Sequence, residues 1–387
     1  MPEMLEMKEP TDVTLTHHLD ELAAFEPTEF PFISLYLNTQ PDQHGRDNFE
    51  PFVRKEFKAR ANSFAQDSLE LASFERDAAR IKGYLRDELR ASANGLAIFA
   101  CAGADNYFKA VQLDAPVMRH RLHVNERPHL YPLARLLDQH PRYVALLADT
   151  NSARLFVFGL GRALSSAEVN NVKVSRTQGR GWSQMRYQRH VDNYHLLHAK
   201  EVVEVLGRVV REEAADHIVL AGDEVIIPLL SEQLPPHLAN KVIDVLRLDI
   251  RTPEHEVLKA TMEALHEHNV QTDAERVRRL LDEYRAGGLA VVGARDTLTA
   301  LYQGQVDELL LSASTREIIC NEEELDATLA DGISPSQPVF RGREPHLVAA
   351  DLLVTRARHT GARVTFIEDP ALLTGVDGCG ALLRYRL

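Results

Sequence analysis

"GRGWSQMRYQRH", residues Gly179–His190, opens on two glycines, carries the chain's one tryptophan, and holds Arg180, Arg186 and Arg189 without an acid. The depletion extends to both sides. Between Glu168 and Asp192 there is no Asp or Glu, while Lys173 and Arg176 add positive charge. The whole chain has a formal net charge of −13. Net charge opposes long-range attraction to nucleic acid, but within about a Debye length, roughly 8 Å at physiological salt, local charges decide. Glycines permit positive φ and close backbone approach, so the stretch reads as a flexible cationic loop. What flanks it sets the fold.

On its C-terminal side, Val202, Val205, Leu206, Val209 and Val210 recur at helical spacing. "HIVLAGD" (His217–Asp223) then reads as a buried strand, and "KVIDVLRLDI" (Lys241–Ile250) as another. A long helix over Thr252–Arg285, interrupted near Asn269, is stopped by "AGG". On the N-terminal side, "RYVALLAD" (Arg142–Asp149) and "ARLFVFG" (Ala153–Gly159) flank "TNS" as a hairpin does.

Farther out, "PFISLYLN" (Pro31–Asn38) alternates like a half-buried strand. Helices are expected over Asn48–Phe64 and Leu69–Ala93, strands over Gly95–Cys101 and Tyr107–Leu113, and a short helix over Leu130–Leu137. Toward the C-terminus, strands Gly288–Gly293, Val306–Ser312 and Ala362–Asp369 alternate with helices Ala294–Gly304 and His346–Thr360, before a final "ALLRYRL". This order predicts an α/β protein of three units, 1–141, 142–262 and 263–387.

With 44% hydrophobic and 26% charged residues the chain has the composition of a soluble globular protein. No apolar run approaches the roughly 20 residues that cross a bilayer. The start, "MPEMLEMKEP", lacks the basic and apolar regions of a secretory signal. Three widely spaced cysteines, Cys101, Cys320 and Cys379, fit reduced thiols and not a disulfide framework or zinc site. The expected compartment is the cytoplasm. No phosphate-binding loop, dinucleotide fingerprint, nucleophile-elbow serine or zinc-protease helix is present, so neither cofactor nor metal is expected.

The order of these parts resembles the archaeo-eukaryotic class-1 peptide-chain release factor and Pelota superfamily, and is most similar to its bacterial branch. In release factors a Gly-Gly-Gln loop is followed by Ser, an apolar residue, Arg, an aromatic residue and Arg, then a long helix. Ser183, Met185, Arg186, Tyr187 and Arg189 match that downstream pattern. "YVALLADTNSARLFVF" resembles the opening hairpin of the middle domain, "SANGLAIFACAG" the end of the first domain, and "LAVVGARDTLTALYQGQVDELLLS" with "GCGALLRYRL" parts of the third. The resemblance implies a release-factor-like architecture: an α/β first domain, an RNase H-like middle domain, and a third domain like the kink-turn-binding ribosomal-protein α/β sandwich.

Two departures bear on function. Trp182 falls where the release-factor glutamine would be, but Gly181-Trp182-Ser183-Gln184 fits the Gly-x-x-Gln variant of the branch that releases peptides from stalled large subunits. By that match Gln184, with Gly181 and Ser183, is the candidate catalytic group. Arg180, Trp182, Arg186, Arg189, Lys173 and Arg176 are the candidate RNA contacts. The tip expected between the first domain's long helices reads "RANSFAQDSLELASF" and lacks Asn-Ile-Lys-Ser. Codon-specific termination is therefore not expected.

The resemblance implies a peptidyl-tRNA hydrolase acting in ribosome rescue. Its partners would be the ribosome, through the large subunit, and peptidyl-tRNA. A GTPase partner is left open, and neither membrane nor DNA is implied. Two other readings stand beside it: a nuclease cutting near the tRNA 3′ end, and a non-catalytic Pelota-like binder.

Each residue also has a plainer reading. Gln184 would be a surface residue at a helix start, Arg186 and Arg189 a solvated helix face, and Trp182 a buried anchor. His190, His195 and His198 would form a polar helix face in place of a metal site. Asp223 and Glu224 would cap a helix and not form a catalytic acid pair. Gly375, Gly378 and Gly380 would form turns.

Overall fold

The computed structural model describes residues 11–41, 49–170, 184–320 and 344–386. They form two compact units, His140–Gln271 and the remainder of the chain.

In the remainder, the N-terminal part runs α1 (Thr11–Ala23), β1 (Phe32–Asn38), α2 (Phe49–Ala61), α3 (Leu69–Asp87), β2 (Gly95–Cys101), β3 (Tyr107–Leu113), β4 (Arg121–Asn125) and α4 (Tyr131–Gln139). Its antiparallel sheet has the order β3-β2-β1-β4. Phe49, Val53 and Phe57 of α2 and Phe74, Ala78 and Ile81 of α3 pack on Ile33, Leu35, Leu37, Leu96 and Ile98. The turn between these two helices runs from Asn62 to Ser68, and the Ser68 hydroxyl accepts from Leu71 N to start α3.

The expectation of a half-buried β1 is corrected, because both faces are buried. Its polar positions face into the fold and find partners there. Ser34 Oγ accepts from His129 N at 3.0 Å, and the Tyr36 hydroxyl donates to His129 O at 2.5 Å. A buried hydroxyl with a partner costs little. Alternation alone cannot distinguish that from solvent exposure.

The His140–Gln271 unit holds β5 (Tyr143–Ala148), β6 (Ser152–Gly159), β7 (Arg162–Asn170), α5 (Gln184–Glu212), β8 (His217–Gly222), α6 (Ile226–Gln233), α7 (Pro236–Ala239) and β9 (Val242–Leu246). Its sheet has the order β7-β6-β5-β8-β9, with an antiparallel β5-β6-β7 meander and β8 and β9 parallel to β5. This is the RNase H-like arrangement expected of a middle domain. Ala199, Val202, Leu206 and Val210 of α5 bury one face, against Val144, Leu146, Leu155 and Leu220.

α8 (Glu254–Arg285) then runs 32 residues without a break, correcting the interruption expected near Asn269. One asparagine costs a helix only a fraction of a kcal/mol, and both halves are anchored. Val257 and Leu265 enter the middle unit's core, and Val277 and Leu280 enter the core of the C-terminal sheet.

That C-terminal part contains β10 (Ala290–Val292), α9 (Ala294–Tyr302), β11 (Val306–Ser312), α10 (Pro345–Thr360), β12 (Arg363–Ile367) and β13 (Cys379–Leu383), with sheet order β10-β13-β11-β12. Gly378, at φ +73°, is a turn residue as expected, but Gly380 lies inside β13. There a Cβ would sit 2.7 Å from Leu280 Cδ2, so the glycine lets α8 approach the sheet. The architecture is mixed α/β throughout, as expected.

The N- and C-terminal parts of the larger unit are joined through α4. Asp351 of α10 accepts from Leu130 N at 2.9 Å, Tyr131 N at 3.0 Å and His129 Nδ1 at 2.6 Å. Arg135 donates to Glu368 at 2.8 Å and to Ala313 O at 2.8 Å, and Tyr131 donates to Ser312 O. Asp138 Oδ2 accepts from Phe366 N at 2.8 Å.

Burial pushes the Asp138 carboxyl up to about 7, the Phe366 N–H opposes the shift, and Asp273 nearby adds to it. The folded state therefore holds a proton that the unfolded chain has already released. Stability from this group is complete below the ordinary carboxyl range and is lost as pH rises through about 7. Asp138→Asn keeps an acceptor for Phe366 N. It is expected to flatten the fall in denaturation midpoint between about pH 5 and about pH 8, measured by urea unfolding.

Candidate functional site

β5, β7, β8 and β9 all point the same way, so their carboxyl ends share one edge of the middle sheet. Ligands of open α/β sheets bind at such ends, where the connections diverge. Of the four connections that leave this edge, the one from β9 leads into α8, and the other three lie closer to the candidate residues in sequence. The first is the β5–β6 hairpin: Asp149 N donates to Ser152 O, and Asp149 Oδ1 accepts from Asn151 N and Ser152 N at 2.7 Å each. The second follows Gly222, where Asp223 Oδ1 accepts from Val225 N and Ile226 N at 2.9 Å. The third leaves β7 at Asn170, which pairs with Ser152, and enters α5 at Gln184. That third connection is the acid-free stretch.

A close approach holds this edge together. A Cβ on Gly222 would sit 2.2 Å from Ala148 O, backbone that cannot move aside without breaking the β5–β8 pairing. Gly222→Ala is therefore expected to destabilise the middle unit by about 2 kcal/mol, the range of an overpacked core. Thermal unfolding of the purified variant checks this.

The Asp223 carboxylate is engaged as a helix cap, as read from the sequence. Glu224 pairs with Arg247 at 2.9 Å, both largely exposed. The two acids thus serve local structure. His198 is fully buried beside Ala199, so the polar-face reading of the histidines is corrected at that position. Among the described residues no group of three His, Cys, Asp or Glu side chains is placed to hold a metal ion. No helix there is long and apolar enough to cross a membrane.

Of the residues singled out in the sequence, Gln184, Arg186 and Arg189 lie in the first turns of α5. Gln184 is its first residue, and positions 186 and 189 are one turn apart. Lys173, Arg176, Arg180, Gly181, Trp182 and Ser183 fall outside the described residues. The first turn of the 29-residue helix holds no acidic residue. Its N-terminal partial positive charge is therefore not neutralised by a side chain of that turn, which favours a nearby anion. β7, the strand that leads into the segment, had no sequence signal. It is an edge strand, "RALSSAEVN", whose apolar positions are few and irregularly spaced.

A model of the family described as "Bacterial archaeo-eukaryotic release factor family 10" matches residues 128–266, the span from the approach to α4 into α8. Among curated proteins, the chain is 24% identical to peptide chain release factor subunit 1 of Thermoplasma acidophilum, over 95% of this chain and 94% of that one. It is 23% identical to the protein of the same name from Methanocaldococcus jannaschii, over 67% and 69%. Among solved structures it is similar to Archaeoglobus fulgidus Pelota, at 16% identity and a TM-score of 0.32, covering 77% of this chain and 82% of that one.

Proposed function

The chain belongs to the archaeo-eukaryotic release-factor superfamily, and from that premise we propose that it is a ribosome-associated peptidyl-tRNA hydrolase acting on stalled or split ribosomes in the cytoplasm. The observation that supports this reading is that α5 opens at Gln184, next to the acid-free stretch that follows β7. The full-length likeness is to proteins named peptide chain release factor.

The chemistry is the hydrolysis of an acyl ester at the tRNA 3′ end. Water must be placed beside the carbonyl carbon while other water is kept away. A neutral carboxamide offers a donor and an acceptor together, so Gln184 orients a water without bringing an ionised group among phosphates. It has no titratable proton and does not act as a general base. Arg180, Arg186 and Arg189 hold phosphate oxygens, each guanidinium offering a two-pronged contact. Gly181 and Ser183 let the backbone approach the tRNA end, and Trp182 stacks on a base. Rate then comes from positioning and preorganised hydrogen bonds, with ribosomal RNA completing the site. The α2–α3 tip lacks the codon-reading tetrapeptide, which supports rescue over codon-directed termination.

The test is a release assay with defined peptidyl-tRNA on isolated large subunits, analysed for both products. Free peptide and a tRNA with an intact 3′ terminus support ester hydrolysis. A shortened tRNA would instead identify a nuclease. No release by the wild-type protein, with or without a GTPase fraction, would overturn the catalytic reading.

A further inference from the structure

Two imidazoles meet where the N-terminal sheet joins α4. β4 places His123 opposite Ser34 of β1, and His129 stands just before α4, next to the Leu130 amide that Asp351 caps. The two ring centroids are 3.8 Å apart, with 42° between the ring planes. His129 is 2% exposed. The Nε2 atom of each ring is buried without a hydrogen-bond partner among the described residues. A buried polar atom with no partner costs stability, and two side by side call for a reason.

His129 is pinned at three points. Its N–H donates to Ser34 Oγ at 3.0 Å, its carbonyl accepts from the Tyr36 hydroxyl, and its Nδ1 lies 2.6 Å from Asp351 Oδ2. The charged groups that bear on the pair are Arg121 on β4, Arg60 on α2 and Asp351 on α10. Asp351 is already engaged by Leu130 N, Tyr131 N and His129, and the two arginines repel a further positive charge. Burial first, then His129, Arg121 and Arg60, push the His123 imidazole down to about 2. In the unfolded chain it takes up a proton near the ordinary value of about 6.5. Stability from His123 is therefore complete above about 6.5 and is lost as pH falls toward about 2, the opposite sense to Asp138.

We propose that the stacked His123–His129 pair is an acid-sensitive latch within the larger unit: α4 stays docked against α10 only while His123 is uncharged, and a proton taken up there opens the junction. Two buried like charges at this ring separation repel strongly. With His129 pinned, the rings part in one of two ways. Either β4 withdraws from the start of α4, which frees the amides that Asp351 caps, or His123 turns out to solvent, which leaves them capped. The latch is the first of these.

Backbone amide exchange of the full-length protein, followed by mass spectrometry and corrected for its intrinsic pH dependence, tests it. Protection of α4 in the wild type is compared with that in His123→Asn, whose side chain stays neutral. Asp138 acts equally in both proteins, so the ratio of their opening constants isolates His123. That ratio is expected to rise about tenfold for each pH unit between about pH 6 and about pH 4.5, the linkage of one excluded proton. β5 should be equally protected in both proteins throughout. A flat ratio overturns the proposal. A rise shared by β5 would mark general acid unfolding and overturn it too. If His123→Asn does not fold, His123→Phe keeps a ring in the same space. Deuterium exchange at the imidazole C2 position needs no variant at all. In the wild type, His123 should show no titration midpoint while α4 remains protected. A midpoint near about 6.5 with α4 still protected would mean that the ring turns outward, and the latch would be refuted. None of these outcomes depends on the peptide-release assay.

Discussion

Gln184→Ala is expected to reduce peptide release from large subunits by about 10²–10³-fold, the loss that follows removal of one preorganised hydrogen-bonding group from an acyl-transfer site. The fold should be unharmed. Position 184 is the first residue of α5, alanine is the better helix former, and the helix is anchored farther on by Ala199, Val202, Leu206 and Val210. The variant should therefore melt with the wild type and bind ribosomes as tightly, with the deficit in the single-turnover release rate. Arg186→Ala and Arg189→Ala should behave oppositely. On this reading each would remove one phosphate contact, so ribosome affinity should fall, most at low salt and with a shallower salt dependence, while release at saturation is largely kept. If Gln184→Ala releases peptide at the wild-type rate, the segment is a binding element and the chain a Pelota-like binder. If the arginine variants lose rate without losing affinity, their assignment to phosphate contact is wrong.

Local patterning and long-range pairing were unequally visible in the sequence. β2 and β11 have the boundaries that their apolar runs predict, because a strand buried on both faces announces itself by composition, and the edge strand β3 has its predicted bounds through the turn residues that precede it. β4 and β7 did not. Both are edge strands, and half of an edge strand's hydrogen bonds and often one of its faces go unused, so its side chains are weakly constrained. The break expected in α8 at Asn269 shows the reverse error, a local propensity overruled by packing at both ends.

At the candidate site, the loss of acids from 169–191 was visible as a charge pattern. That β5, β7 and β8 end on one edge of a five-stranded sheet depended on pairings that periodicity cannot encode. The docking of α4 illustrates the same limit, because Arg135 meets Glu368 from a part of the chain far away in sequence.

That docking depends on Asp351, and Asp351→Ala is expected to cost the larger unit about 3 kcal/mol. The carboxylate lies on α10 but caps a different helix. Its Oδ1 accepts from Leu130 N and Tyr131 N where α4 begins, and its Oδ2 accepts from the buried His129 imidazole. The negative charge also faces the positive end of α4. Alanine leaves two backbone N–H groups and an imidazole N–H without acceptors in a site largely closed to water, and an unpaired buried donor costs more than the bond it lost. At about 2–4 °C for each kcal/mol in a unit of this size, the melting transition should fall by roughly 6–12 °C. Asp351→Asn retains one acceptor oxygen and the shape of the side chain, so it should lose less than half as much. Residues 140–271 have their own core, and differential scanning calorimetry should show their transition unmoved. A single transition shifted as a whole would mean that the two units unfold together. A wild-type melting curve would mean that the α4 junction is held without Asp351, by its apolar contacts and by Tyr131, Arg135 and Asp138.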